Sequence, residues 1–206
     1  GVVLKNVEYS QILKKTLKNL NTPSVCKVGY LGYGEYKTNE GGVPTKVYIL
    51  WKHLIARCYD EKELEKHPTY KDVLVCDEWK CFQNFAKWFY NNYIDGFQLD
   101  KDILIKGNKI YSPKTCCFVP HEINTLFVNQ DKNRGNYPIG VTFSKNNKSF
   151  MYQLSKFKKR QVKYFKTEEE AFQAYKIAKE SHIKEVADKW KDQIDSRVYQ
   201  AMYNYK

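Results

Sequence analysis

The chain has 206 residues, 42% hydrophobic and 16% aromatic, and its 35 Lys and Arg outnumber 23 Asp and Glu for a formal charge of +12. So much apolar material excludes a disordered polyelectrolyte, the lack of any apolar run near 18 residues excludes a helical membrane span, and no apolar leader opens the chain. The expectations are one or two folded domains, a cytoplasmic location, no membrane partner, and some polyanion as the natural partner of so basic a chain.

Residues 1–44 read as an N-terminal arm, polar and Lys-rich, with a short helix marked by Ile12, Leu13, Leu17 and Leu20. The glycines of residues 28–34 are not a phosphate loop, because no Lys-Ser/Thr follows them. A domain is predicted over 45–129. It opens with a helix over 47–59, where Val47, Leu50, Trp51, Leu54 and Cys58 share a face. A second helix is predicted over 78–93, with Asp77 as its N-cap and Trp79, Phe82, Phe85, Ala86 and Phe89 as its stripe. The six cysteines form no C-x-x-C pair, so they read as reduced and mostly buried.

Residues 97–124 carry the chemistry. Phe97-Gln98-Leu99-Asp100 alternates like a strand, Lys106-Gly107-Asn108 has the residues of a turn, Cys116-Cys117-Phe118-Val119 is a short apolar run, and Pro120 suits a first helical position. The resulting strand, loop, strand and helix put Asp100 late on the first strand and Asn124 early on the helix. Two oxygen-bearing side chains are thereby expected to converge. His121 lies three residues before Asn124, on a neighbouring helix face.

These residues resemble the ββα-metal core of HNH endonucleases, and in particular the phage and intron-encoded homing enzymes. Asp100, Tyr111, Pro113, Cys116, Phe118, Val119 and Asn124 follow that framework in order, and Trp51, Arg57-Cys58-Tyr59 and Trp79 carry the likeness back to residue 51. The resemblance implies Asp100 and Asn124 as ligands of Mg2+ or Mn2+, and Asp100, Lys101 and Asn124 as the catalytic set. It further implies metal-dependent DNA nicking or cleavage at a selected site, by a phage protein in a bacterial host cell. Two positions depart from the pattern. Lys101 stands where many members carry the His general base, and its side chain is expected where an attacking water would sit. Thr115 stands where the middle Asn braces the loop. A solvated ammonium has no lone pair to take a proton. The departures therefore imply a rival, a catalytically impaired DNA-binding or host-defence-interfering protein that keeps the nuclease fold. An acidic protein docking on the basic face is a further possible partner.

Residues 129–137 lose apolar periodicity and mark a boundary, with a last domain over 130–206. Strands are predicted over 139–143, 150–155 and 162–165, followed by one long helix. That helix opens with a capping box at Thr167 and Glu170, and Ala171, Ala174, Tyr175 and Ala178 line its apolar face. Pro138-Ile139-Gly140-Val141, Lys163-Tyr164-Phe165 and the stretch from Thr167 to Tyr175 resemble the Apetala/ethylene-response DNA-binding domain, which implies a sheet face laid in the DNA major groove. Between residues 141 and 166 stand Lys145, Lys148, Lys156, Lys158, Lys159, Arg160, Lys163 and Lys166 with no Asp or Glu, a pattern that points to phosphate contact. The predicted fold class is α+β, a ββα-metal HNH-like domain plus a three-stranded antiparallel sheet packed on one helix. The oligomeric state is left open.

Overall fold

A computed structural model describes residues 19–127, 136–156 and 159–205. The positions Ile12, Leu13 and Leu17, most of the stretch 129–137, and Lys158 lie outside them. The described chain is a mixed α+β fold of small sheets and mostly short helices, in two compact units. One comprises the described residues up to Asn92 together with Lys109–Pro113, and the other Tyr93–Asn108 together with the described residues from Lys114. No helix among the described residues is long and apolar enough to cross a membrane.

In the first unit, β1 (Asn39–Glu40) and β2 (Val43–Pro44) pair across Gly41 and Gly42, and α1 (Lys46–Tyr59) follows. Its N-cap is Thr45, whose hydroxyl accepts from the Tyr48 N–H. The expected face is buried at Val47, Trp51, Leu54 and Cys58, joined by Ile55, and the Trp51 indole donates to the Trp79 carbonyl at 2.8 Å. After α2 (Glu61–Lys66) and β3 (Leu74–Val75), the helix predicted over 78–93 is broken in two, α3 (Asp77–Lys80) and α4 (Phe82–Asn92). The cause is Cys81, which is extended and forms a parallel bridge with Tyr30: Tyr30 N–H donates to the Lys80 carbonyl and Phe82 N–H to the Tyr30 carbonyl, each at 2.9 Å. The N-cap position is Cys76 rather than Asp77, which instead pairs with Lys80 inside the short helix. The aromatic stripe is core as expected, with Trp79, Phe82, Phe85 and Ala86 fully buried.

The second unit begins with β4 (Gln98–Asp100). A later strand, β5 (Ile110–Tyr111), belongs to the first unit and pairs parallel with β3, whereas β6 (Cys117–Val119) returns antiparallel to β4 with Gln98 opposite Val119 and Asp100 opposite Cys117. Pro120 is the N-cap of α5 (His121–Leu126) rather than its first helical residue. Three antiparallel strands follow, β7 (Val141–Ser144), β8 (Ser149–Lys156) and β9 (Lys159–Phe165), in the order β7-β8-β9. The long α6 (Glu168–Trp190) starts at the expected capping box, and α7 (Ser196–Tyr203) ends the described chain.

Helix α6 serves two cores. Its first half carries Ala171 and Tyr175 against Tyr152 and Leu154 of the sheet, with Phe165, Phe172, Ala174 and Ala178 around them. Its second half carries Ile183, Val186 and Ala187 into a cluster with Ile103, Cys117, Val119 and Ile123, closed by Val198 and Met202 of α7. The expected boundary at 129–130 thus falls in sequence between two parts of one apolar cluster. Gly140 adopts φ 78°, and a Cβ there would lie 2.3 Å from the Tyr175 ring, so the Gly of the Pro-Ile-Gly-Val word is required both by its backbone and by the close approach.

Candidate functional site

Asp100 ends β4 with its carboxylate turned back on the chain. Oδ1 accepts from the N–H groups of Asp102 and Ile103, both at 2.7 Å, a local turn that fixes the side chain and leaves Oδ2 with no bond among the described residues. Burial pushes the Asp100 carboxyl above its ordinary value, and the two amide bonds oppose that shift without cancelling it.

Lys101 points elsewhere than expected. It lies just past the end of β4 and is 9% exposed, with Nζ donating to the Asp102 carboxylate at 2.6 and 2.7 Å and to the Asn108 carbonyl at 2.8 Å. The Asn108 amide returns a bond to the Lys101 carbonyl at 2.9 Å. The ammonium therefore braces the 101–108 loop.

Asn124 is held by Gln98, a residue that the sequence pattern does not single out. Its Nδ2 donates to Gln98 Oε1 at 2.8 Å, and His121 Nδ1 stands 3.3 Å from the same oxygen. Gln98 and Asp100 are two positions apart on β4 and so share a face, with Cα atoms about 6–7 Å apart. That period-two relation to Asp100 is the signal by which Gln98 could be found. Among the described residues, no three His, Cys, Asp or Glu side chains form a group that could hold a metal ion. Asp100 Oδ2 and Asn124 Oδ1 are instead two hard oxygen donors, a set that suits a divalent cation keeping most of its water, and not zinc.

The basic set of the sheet divides by strand parity. Tyr152, Leu154 and Lys156 face α6, where Lys156 pairs with Glu185 at 2.7 Å. Lys159 and Lys163 stand opposite Lys156 and Tyr152 in register and share that parity on the edge strand, although both are exposed. The other face is uncovered by α6. Across it run Thr142, Met151 and Tyr164 in one row, Gln153 and Val162 in the next, and Ser155 and Arg160 in the last. Arg160 is the basic residue with this parity, and its guanidinium donates to Gln153 Oε1. Lys145 and Lys148 lie in the β7–β8 turn, where Lys148 takes φ 46°, and Lys166 follows β9 at the same end of the sheet. An open depression of about 470 Å3, lined by Lys156, Lys159, Arg160 and Gln161, marks the opposite end. The eight residues of β8 put the two ends about 23 Å apart. Plain parity counting would group Arg160 with Tyr152 and Lys156, and only the β8–β9 register, which sets Arg160 opposite Ser155, separates them.

Six free cysteines, Cys26, Cys58, Cys76, Cys81, Cys116 and Cys117, complete the reactive groups, the last two buried beside Asp100's strand. Burial raises the Cys117 thiol well above its ordinary value, so it is held as the unreactive thiol. No protein-family model, curated protein or solved structure matches this chain.

Proposed function

We propose that the chain is a double-stranded DNA-binding protein that nicks or cuts DNA at a selected site, an HNH-type endonuclease with an Apetala/ethylene-response-like reading sheet. The observation that supports the reading is the strand pair followed by a helix, in which Gln98 shares a strand face with Asp100 and accepts the Asn124 amide. On this reading those two oxygens hold Mg2+ or Mn2+, which when bound supplies positive charge to the scissile phosphate. The open face of the sheet supplies recognition: Thr142, Gln153, Tyr164 and Arg160 can reach base edges, while Lys145, Lys148 and Lys166 at one end and Lys159 at the other neutralise phosphates.

The second reading is the non-catalytic DNA-binding protein that keeps this framework, and Lys101 favours it, since its ammonium is committed to the loop. Conversion of supercoiled plasmid with Mg2+ or Mn2+ separates the two. Nicking that Asp100→Ala abolishes supports the nuclease. DNA binding with no nicking by either protein establishes the second reading, and the absence of binding at low salt defeats both.

A further inference from the structure

With Lys101 turned into its loop, the base must come from another group that faces the Asp100 side of β4. His121 is exposed on the first turn of α5, and its Nδ1 meets the oxygen that also accepts the Asn124 amide. A carbonyl oxygen has only lone pairs to offer. Two nitrogens can meet Gln98 Oε1 only if each carries a hydrogen. For His121 that selects the tautomer with hydrogen on Nδ1 and a lone pair on Nε2, and for Asn124 it turns Nδ2 inward and Oδ1 outward. A single Gln thus determines which atom each neighbour presents.

We infer that His121 Nε2 is the general base of this site and that Gln98 is the positioning residue that sets both the His121 tautomer and the Asn124 amide. The inference rests on the nuclease reading above. In the step, Nε2 takes a proton from water as the water oxygen bonds to phosphorus and the bond from phosphorus to the leaving sugar oxygen breaks. The sugar oxygen takes a proton from solvent, and the imidazolium returns its own proton to solvent. The reverse orientation of both amides would put Gln98 Nε2 against His121 Nδ1, force hydrogen onto His121 Nε2, and remove the outward lone pair. The two arrangements predict different tautomers, so they are distinguishable without turnover.

The experiment reads imidazole 15N shifts in the full chain at a pH about two units above the ordinary imidazole pKa. The His121 signals are assigned as those lost in His121→Gln. Hydrogen on Nδ1 in the wild type, with loss of that preference in Gln98→Leu and retention in Gln98→Glu, is the expected result. Hydrogen on Nε2, or no response to Gln98→Leu, overturns the positioning role. Single-turnover nicking at saturating DNA follows. His121→Gln should slow it by about 100-fold or more with DNA affinity unchanged, the range for loss of a general base. Gln98→Leu should slow it about 10-fold to 100-fold, with Gln98→Glu closer to wild type. Nicking by His121→Gln at the wild-type rate overturns the base role. A wild-type protein that does not nick overturns the nuclease reading and the base role with it, while the tautomer still decides whether Gln98 orients the imidazole.

Discussion

Trp190 donates its indole N–H to Glu122 Oε2 at 2.7 Å, and Lys189 Nζ lies 2.5 Å from the same oxygen. Farther along, Lys179 donates to the Leu126 carbonyl at 2.9 Å. Both ends of the six-residue α5, which carries His121 and Asn124, are therefore fastened to α6. A helix this short has little stability of its own, so these bonds and the burial of Ile123 hold it in place. Glu122→Ala should lower the unfolding free energy by about 1–2 kcal/mol, below the full worth of charged bonds because both partners are partly exposed. Denaturant melts of the two proteins measure it.

The same carboxylate makes a pH prediction. Burial pushes Glu122 up, but the bonds from Trp190 and Lys189 outweigh it and hold the group below its ordinary 4.5. Near that value the unfolded chain binds more protons than the folded one, so stability gained from Glu122 is present at neutral pH and lost as pH falls below about 4.5 through the lower folded value. The melting-temperature gap between wild type and Glu122→Gln should close across that window. A gap that stays constant into acid would mean that the carboxylate charge contributes nothing.

Lys101 should behave as a structural residue. Lys101→Ala removes three bonds from the 101–108 loop and is expected to cost about 2 kcal/mol, while DNA affinity changes little. Lys101→His cannot reproduce those bonds and should not speed nicking. Faster cutting by Lys101→His, with stability unchanged, would place the side chain outside the loop.

The sheet and the strand-helix site should unfold together. Ile183→Ala should cost about 2–5 kcal/mol, since it opens a cavity among Val119, Ile123 and Val186. A fragment beginning at 130 lacks Ile103, Cys117, Val119 and Ile123 and should show no cooperative thermal transition. A sharp transition in that fragment would mean that the sheet and α6 need no partner.

DNA affinity should sort by position on the sheet. Arg160→Ala and Lys145→Ala should each weaken binding, and every phosphate left without its cation should flatten the slope of log affinity against log salt by roughly 0.9. Lys156→Ala should leave binding nearly unchanged and instead destabilise the fold through Glu185. Anisotropy titrations at several salt concentrations read both effects. Equal losses of affinity at all three positions would mean that the charge acts diffusely rather than through one face.

Legibility in the sequence followed range. The Thr167–Glu170 capping box, the α1 face and the Asp100 strand are readable because the partners lie within a few residues or a single period. The break at Cys81 is not, because its cause is Tyr30, 51 positions earlier, and the local pattern from Trp79 to Phe89 is helical throughout. Lys101 draws attention in the sequence because it stands where the resemblance puts a His base. The side chain's actual partners, Asp102 and Asn108, depend on how the loop folds back. Gln98 is accessible by period-two counting from Asp100, whereas the face of Arg160 follows only from the β8–β9 register.

Helix α6 works as a ruler. From the sheet-packing residues Ala171 and Tyr175 to the core residues Ile183 and Ala187 beneath β6 and α5 is about 12 residues, or about 18 Å along the axis. With α5 bolted to the far half and the sheet resting on the near half, nothing between them can pivot without breaking an apolar core. On the nuclease reading proposed above, a scissile phosphate would be selected at a fixed distance from the recognised bases. Inserting one base pair between them should abolish cutting, and should not shift the cut by one step.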